Sequence, residues 1–180
     1  IDVTNNDRKF VSEGAQISGN YEHGLLGISQ QFSFGVRAHR DTAKRRHKPR
    51  SYLMVDGNLE FDGVLLPPKT FNRGHSEALS VYLANEFYFD SFTLNAGLRL
   101  EDIDGEVLNR NTGVTAYNDQ KEIMPSISLL FPLSENLNLI AGIHQGFSPS
   151  GPGATGIDPE SSTNYEFGGR YNNQNTCGYI

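Results

Sequence analysis

Two consecutive segments of the chain alternate apolar and polar residues across a two-residue break, and this pattern constrains the fold most. Within residues 79–89 one side is apolar except at Asn85, and residues 92–101 repeat the alternation. The apolar members are Leu79, Val81, Leu83, Phe87 and Phe89, followed by Phe92, Leu94, Ala96, Leu98 and Leu100. An apolar–polar alternation with a period of two residues is typical of a β-strand with one apolar and one solvent-exposed face. The two segments therefore predict an antiparallel hairpin around Asp90-Ser91.

Five further segments show the same period, and they extend the prediction to the whole chain. They are residues 15–21, 26–38, 122–131, 137–144 and 164–171. No segment carries apolar residues at the i, i+3, i+4, i+7 spacing of an amphipathic helix. The chain is therefore predicted to be all-β, with about seven strands.

The connections between these strands are strictly asymmetric. Short links at 22–24, 90–91 and 132–136 alternate with long links at 39–77, 103–121 and 147–161. Successive links of an up-and-down antiparallel sheet lie at opposite ends, so all the long links should share one end. Outer-membrane barrels have this asymmetry, which favours an antiparallel up-and-down transmembrane β-barrel.

Aromatic residues cluster beside the short links, at Phe87, Tyr88, Phe89, Phe92 and Phe131. An interfacial girdle of a membrane barrel would place rings there. A hydrophobic cluster that closes a small soluble barrel is the alternative.

Charge and composition exclude some classes of function. The formal net charge of -6 argues against a nucleic-acid partner. Cys177 is the only cysteine, which excludes a disulfide or a cysteine zinc cluster within the chain. No secretory leader stands at Ile1, and no apolar run has the length of a membrane helix. The mean hydropathy of -0.46 suits a soluble β-protein and an outer-membrane barrel equally.

The later part of the chain carries a composite motif. A strand beginning at Pro125-Ser126 and a strand ending in Gly146-Phe-Ser-Pro149 lead to a third strand that carries the rest of the motif. That third strand contributes Pro159, Glu160, Ser162, Asn164, Tyr165, Glu166, Gly168, Arg170 and Tyr171, and residues 97–101 read Gly-Leu-Arg-Leu-Glu. This order resembles the barrel of TonB-dependent outer-membrane receptors, especially the branch related to ferric-citrate transporters.

The resemblance implies a function, a location and partners. It implies a non-enzymatic receptor of the Gram-negative outer membrane that takes up ferric chelates, with ferric citrate or another ferric siderophore as substrate. Family barrels have about 22 strands, an N-terminal plug domain and a TonB-interacting box. Neither a plug nor that box is visible before Ile1, only seven strands are predicted, and 172–180 lacks further strands and a terminal aromatic. Residues 1–180 are therefore expected to be a partial barrel domain without the plug. The TonB complex would act through that plug, and outer-membrane lipid or lipopolysaccharide would surround the wall. No cofactor is expected.

A basic run at residues 37–50 holds seven Arg and Lys residues against one Asp. Arginine grips carboxylates bidentately, as an anionic chelate such as ferric citrate requires. Arg45, Arg46 and Arg50 are therefore predicted to contact the ligand from an extracellular loop, while Arg37 and Arg40 belong to the strand end. The alternatives are a solvated loop or one that neutralises lipopolysaccharide phosphates.

Charged residues also lie on the polar sides of the predicted strands. They are Glu86, Arg99, Glu101, Glu166 and Arg170. In a receptor barrel they would point inward towards the plug, whereas in a soluble barrel they would face water.

Two other function classes remain open from the sequence. One is a small self-contained ligand-binding β-barrel or sandwich. The other is an outer-membrane hydrolase using Ser148, His144 and Asp158, although no G-x-S-x-G elbow is present. The five histidines have no metal-binding spacing, so neither a catalytic residue nor a protein-held metal is predicted.

Overall fold

The described residues of the chain form one antiparallel sheet of nine strands. The computed structural model describes residues 1–172 and 177–179, apart from the side chains of Cys177 and Tyr179. The strands are β1 (Asp2–Leu25), β2 (Ile28–Val55), β3 (Asn58–Leu65), β4 (Thr70–Tyr88), β5 (Thr93–Asn109), β6 (Thr115–Pro132), β7 (Leu137–Ser148), β8 (Glu160–Asn172) and β9 (Cys177–Tyr179). The all-β prediction is confirmed.

Strand order follows the chain, as an up-and-down sheet requires. The order is β1-β2-β4-β5-β6-β7-β8-β9, and β3 pairs with the far part of β2 as an additional hairpin. The described strands form a single sheet, so they are not the two packed layers of a sandwich. The prediction about the chain end falls partly on 173–176 and residue 180, outside the described residues.

Two of the three predicted long links are wrong, because strands run through them. β2 continues to Val55 and turns at Asp56-Gly57 into β3, while β5 and β6 are separated only by residues 110–114. In the segments that fill these two links, at 39–77 and 103–121, both sides of the strands are mostly polar. The alternation from which a strand is predicted is therefore missing there. The third long link is confirmed, at residues 149–159.

The short turns lie close to their predicted places. The first one is at Leu26-Gly27 rather than 22–24, with φ angles of 55° and 78°. Two successive positive φ angles are typical of the type I′ turn that closes two-residue hairpins. The links after β4 and β6 are at 89–92 and 133–136, as the sequence predicts.

An unbroken register gives the sheet two different faces. Phe34 pairs with Leu83 and Leu83 with Leu98, while the next row joins Ser33, Ala84 and Gly97. We call the face that carries Leu83 the outer face and the face that carries Ser80 the inner face. Leu83 is 46% exposed and Ser80 only 3%, as expected for a curved sheet with the inner face on its concave side.

The large apolar residues of the outer face form a belt that nothing in the described chain covers. The belt extends from the short turns to the row of Ala38 and Leu79. Apart from glycines, Ala78 and Pro49 are the apolar residues that are buried within the described part of the chain. The accessible surface is 12556 Å², whereas a globular protein of 19.9 kDa exposes about 8,700 Å². The fold therefore leaves a large apolar surface in need of an apolar environment.

The described residues contain no helix of the length and hydropathy needed to cross a membrane.

Candidate functional site

The inner face carries a buried charged cluster at the middle of the sheet. Ser80 on β4 and Glu101 on β5 are paired in register, and the Ser80 hydroxyl donates to Glu101 Oε2. Arg99, two residues before Glu101 on the same face, donates from Nε to Glu101 Oε1 at 2.7 Å. The Glu101 side chain is 7% exposed and that of Arg99 is 44% exposed. The cluster therefore ties β4 to β5 through a carboxylate that is almost out of water.

A second polar group lies nearer the short turns. Glu86 accepts hydrogen bonds from the Tyr88 hydroxyl at 2.8 Å and from Asn95 Nδ2 at 3.3 Å. The same row continues across the sheet through Ser128 to Glu166 on β8. This row is the polar lining of the concave side.

All five charged residues predicted to point inward share the inner face. The register described above places four of them on this face: Glu86, Arg99, Glu101 and Glu166. Arg170 lies four residues after Glu166 on β8 and is therefore on the same face. Arg99 and Glu101 form an ion pair with each other, whereas Glu86 lies in another row of the sheet. Whether this face meets a plug stays a prediction.

The three arginines predicted to contact a ligand do not share a face. All lie on strand β2 rather than on a loop, which corrects their predicted location. Arg45 pairs with Asn72 on the inner face, while Arg46 pairs with Phe71 on the outer face. Arg50 is also on the outer face, where its guanidinium lies 5.9 Å from the Phe61 ring centre. Of the three, Arg45 alone faces the concave side.

Arg8 is an inner-face residue that the sequence analysis missed. It pairs directly with Arg45 in the register of β1 and β2, and its Nε lies 3.4 Å from His47 Nε2. The polar segment at 2–14 has no alternation, so β1 was predicted to begin only at residue 15. Once β1 is extended to Asp2, the parity of Gln16 and Ser18 is enough to place Arg8. Two cations side by side repel each other, and an anion between them would relieve that repulsion.

The loop 149–159 is held against the inner face of β6. Ser150 donates its backbone N–H to Gln120 Oε1 at 2.9 Å, and Gln120 Nε2 donates back to the Ser150 carbonyl at 3.3 Å. Gly153 donates its N–H to Asn118 Oδ1 at 2.7 Å. The one long link that is a true loop therefore folds over the concave side instead of extending away.

The hydrolase residues do not form a catalytic site. His144 and Ser148 lie on β7 and Asp158 in the loop before β8, and no hydrogen bond joins these three described residues. Within the described part of the chain, no three His, Cys, Asp or Glu side chains are arranged to hold a metal ion. The expectation of no protein-held metal stays a prediction.

Acidification is expected to loosen the pairing of β2 and β4 just beyond the belt. Arg40 Nε donates to Glu77 Oε1 at 3.0 Å, and His75 Nε2 lies 3.2 Å from the same oxygen. The Arg40 guanidinium, and then His75, hold the pKa of Glu77 below its usual value of 4.5. A depressed pKa adds stability above the ordinary pKa, and this stability is lost as the pH falls through the folded value.

Hydrogen-exchange protection of the backbone amides around Glu77 should therefore decrease below pH 4.5. The decrease should be larger than in the Glu77→Gln protein measured at the same pH values. An identical pH dependence in both proteins would show that this ion pair does not couple to pH.

The chain matches known proteins in both sequence pattern and structure. The family model described as "TonB dependent receptor-like, beta-barrel" matches residues 2–176. No curated protein matches the chain in sequence. Among solved structures, the unliganded ferric citrate transporter FecA superposes with a TM-score of 0.83 at 20% identity, covering 94% of this chain and 26% of that one.

Two further receptors share the fold. The siderophore receptor PiuA from Acinetobacter baumannii gives a TM-score of 0.70 at 17% identity, covering 93% of this chain and 30% of that one. The ferric yersiniabactin uptake receptor FyuA from Yersinia pestis gives 0.61 at 12% identity, covering 96% and 28%. At such identities the likeness is one of fold, and the chain spans less than a third of the length of each structure. These neighbours are described as receptors or transporters rather than enzymes.

Proposed function

The chain belongs to the TonB-dependent receptor β-barrel family, and from this premise we propose that it forms part of the wall of an outer-membrane importer of ferric chelates. The observation that carries the proposal is the two-faced sheet, with an uncovered apolar belt outside and a charged lining inside. A channel wall in a membrane needs both faces at once.

The belt supports a place in the bilayer. On β4 it runs over residues 79–88 and on to Phe89, close to the roughly 9–11 residues with which a tilted strand crosses the hydrocarbon. The short turns would lie at the periplasmic side and the long strand extensions outside the cell. The Gram-negative outer membrane is the location that the family implies.

The inner face supports a contact with a further part of the receptor. His39 Nδ1 is buried there without a hydrogen-bond partner among the described residues. A buried nitrogen of this kind usually finds a partner, which a plug domain or ordered water would supply. We propose that the wall encloses a plug through which the TonB complex acts, and that Glu86, Arg99, Glu101, Glu166 and Arg170 face it.

The charge on the concave side beyond the belt supports a proposal about the substrate class. Arg8 and Arg45 are adjacent there and make no ion pair among the described residues. We propose that they attract an anionic ferric chelate such as a carboxylate siderophore. Within this class we propose ferric citrate as the substrate. The structural likeness to FecA and the affinity of guanidinium groups for carboxylates support this choice.

Uptake by intact cells tests the function. The protein that carries this chain, expressed in a Gram-negative strain without its own ferric-siderophore receptors, should import radiolabelled iron presented as ferric citrate or as another anionic chelate. Import should vanish when TonB is deleted. Absence of TonB-dependent import for every anionic, neutral and cationic chelate offered would refute the proposal.

Replacing Arg45 by glutamine is expected to weaken binding of the anionic chelate about tenfold. The substitution removes one of two adjacent cations from the inner face, and a charge-assisted contact contributes roughly 1.5 kcal/mol. Titration of the chelate against the detergent-folded protein measures the change, which should be larger at low salt than at high salt.

Arg40→Gln is the matched control, because Arg40 lies on the same strand but on the outer face and pairs with Glu77. Its affinity should stay within about twofold of the original. Equal losses in both variants would mean that general charge, and not the inner-face position, attracts the chelate. The sequence prediction for Arg46 and Arg50 is tested in the same titration, with smaller losses expected since both lie on the outer face.

A further inference from the structure

The outer face changes character beyond the apolar belt and becomes basic. The row of Lys9, Lys44 and Arg73 crosses three strands, and the next row holds Arg46 and Phe71. Arg110 joins this group just after β5, where its backbone N–H donates to the Phe71 carbonyl at 2.7 Å. The inner-face arginines Arg8 and Arg45 do not create this surface, which lies on the opposite side of the wall.

Two guanidinium groups converge on one aromatic ring in this basic surface. The Arg46 and Arg110 carbons Cζ lie 5.1 and 5.5 Å from the centre of the half-buried Phe71 ring. A cavity of about 280 Å³ opens beside the ring, lined by Lys9, Lys44, Arg46 and Arg110 against a single carboxylate, Asp7; the inner-face residue Arg45 also borders it. The cation–π contacts hold both guanidinium groups in place despite their mutual repulsion.

These cations lack counter-charges within the described chain. Arg40, Lys48, Lys69 and Lys121 each pair with a carboxylate, and Asp7 itself pairs with Lys48 at 3.9 Å. Lys9, Lys44, Arg46, Arg73 and Arg110 form no ion pair with any described residue. A group of unpaired cations on a folded surface creates a positive potential that attracts anions.

The height of the cavity above the membrane narrows the choice of anion. Lys44 and Arg46 follow Ala38, the last belt residue of β2, by six and eight positions. At about 3.3 Å per residue and a strand tilt of about 40°, this places them roughly 15–20 Å beyond the belt. An ordinary headgroup layer is only about 5–8 Å thick. A lipid that carries an anion at this height needs a much larger headgroup than an ordinary phospholipid.

We propose that this cavity binds a phosphate on the saccharide core of lipopolysaccharide, with Lys44, Arg46 and Arg110 as its principal ligands. The inference rests on the proposed function, because it requires the belt to lie in an outer membrane. Guanidinium groups bind phosphate oxygens bidentately, and Lys44 adds a point charge at the rim. The phosphate supplies the counter-charge that the described residues lack.

Binding by defined glycolipids tests the proposal. The protein that carries this chain, refolded in detergent without lipid, is titrated with lipopolysaccharide carrying core phosphates, with the same lipopolysaccharide lacking them, and with lipid A alone. The first ligand should bind about tenfold more tightly than the other two, and its affinity should fall with rising salt. Inorganic phosphate, as competitor, should act only at millimolar concentration.

The variant pair separates this site from general charge. The triple variant Lys44→Gln, Arg46→Gln, Arg110→Gln should lose the preference for core phosphates. The triple variant Arg40→Gln, Lys69→Gln, Lys121→Gln removes the same charge from paired cations and should retain the preference. Circular dichroism confirms that each variant is folded.

Three results would overturn the assignment. They are equal affinity for lipopolysaccharide with and without core phosphates, equal affinity for lipid A alone, and equal losses in the two triple variants. Competition by micromolar inorganic phosphate would identify a free anion as the ligand instead. Failure of the proposed function would be seen separately, as loss of TonB-dependent iron import by the unmodified protein.

Discussion

Replacing Leu83 by arginine is expected to destabilise the membrane-inserted protein by about 2–4 kcal/mol. Leu83 lies in the middle of the belt, is 46% exposed on the outer face, and is flanked in register by Phe34 and Leu98. A guanidinium at this depth would have to leave water or deform the bilayer, and no carboxylate lies in its row. Guanidinium chloride unfolding in lipid vesicles measures the change.

Ser33→Arg is the control for this experiment, because Ser33 lies on the inner face one position from the Leu83 row. The arginine would enter the polar lining there, and its cost should be below about 1 kcal/mol. Equal destabilisation by both variants, or none by Leu83→Arg, would show that the outer face does not meet lipid. A soluble barrel predicts that neither arginine has a depth-dependent cost.

Replacing Glu101 by alanine is expected to reduce stability by roughly 2 kcal/mol. The substitution leaves the Ser80 hydroxyl without its acceptor and Arg99 without its ion-pair partner. Breaking a fully buried pair costs about 3–5 kcal/mol, but Arg99 is 44% exposed and can regain water, which lowers the cost. The same unfolding experiment gives the value.

A double-mutant cycle assigns this loss to the pair. Arg99→Ala and Glu101→Ala together should cost less than the sum of the single losses by about 1 kcal/mol, since each single variant already removes the contact. Glu101→Gln keeps the shape and an acceptor oxygen, so its loss should be about half that of alanine. Additive losses would mean that the two side chains act independently.

The sequence predicted the part of the fold in which the two faces differ in polarity. Inside the belt one face carries large apolar residues such as Leu83, and the other carries small or polar residues such as Ala84. All seven strands predicted there are present. Beyond the belt both faces are polar, so the extensions of β2, β4, β5 and β6 and the whole of β3 left no periodic signal. Register and pairing, which determine these extensions, depend on contacts between distant segments.

The candidate site was predicted in composition better than in geometry. The inner-face residues Glu86, Arg99 and Glu101 follow from strand parity within the belt, and the structure places all of them on one face. The ligand contact predicted for the basic run stays a prediction, and its assignment to a loop is wrong, because the run lies on strand β2, where neighbouring residues have fixed sides. Once β2 is known to continue beyond residue 39, alternation along the strand places Arg45 on the inner face and Arg46 on the outer face. Arg8 can be placed in the same way only when β1 is known to begin at Asp2.

The unbroken ladder between β1 and β2 constrains how chain length can change in evolution. Every residue from Asp2 to Leu25 is paired with β2 without a bulge. Because the side-chain period is two, one inserted residue would transfer every side chain beyond it to the other face. Insertions of two residues in both strands would leave all faces intact and only lengthen the ribbon. The strands of related barrel walls should therefore differ in length by even numbers of residues, while the order of polar and apolar positions stays the same.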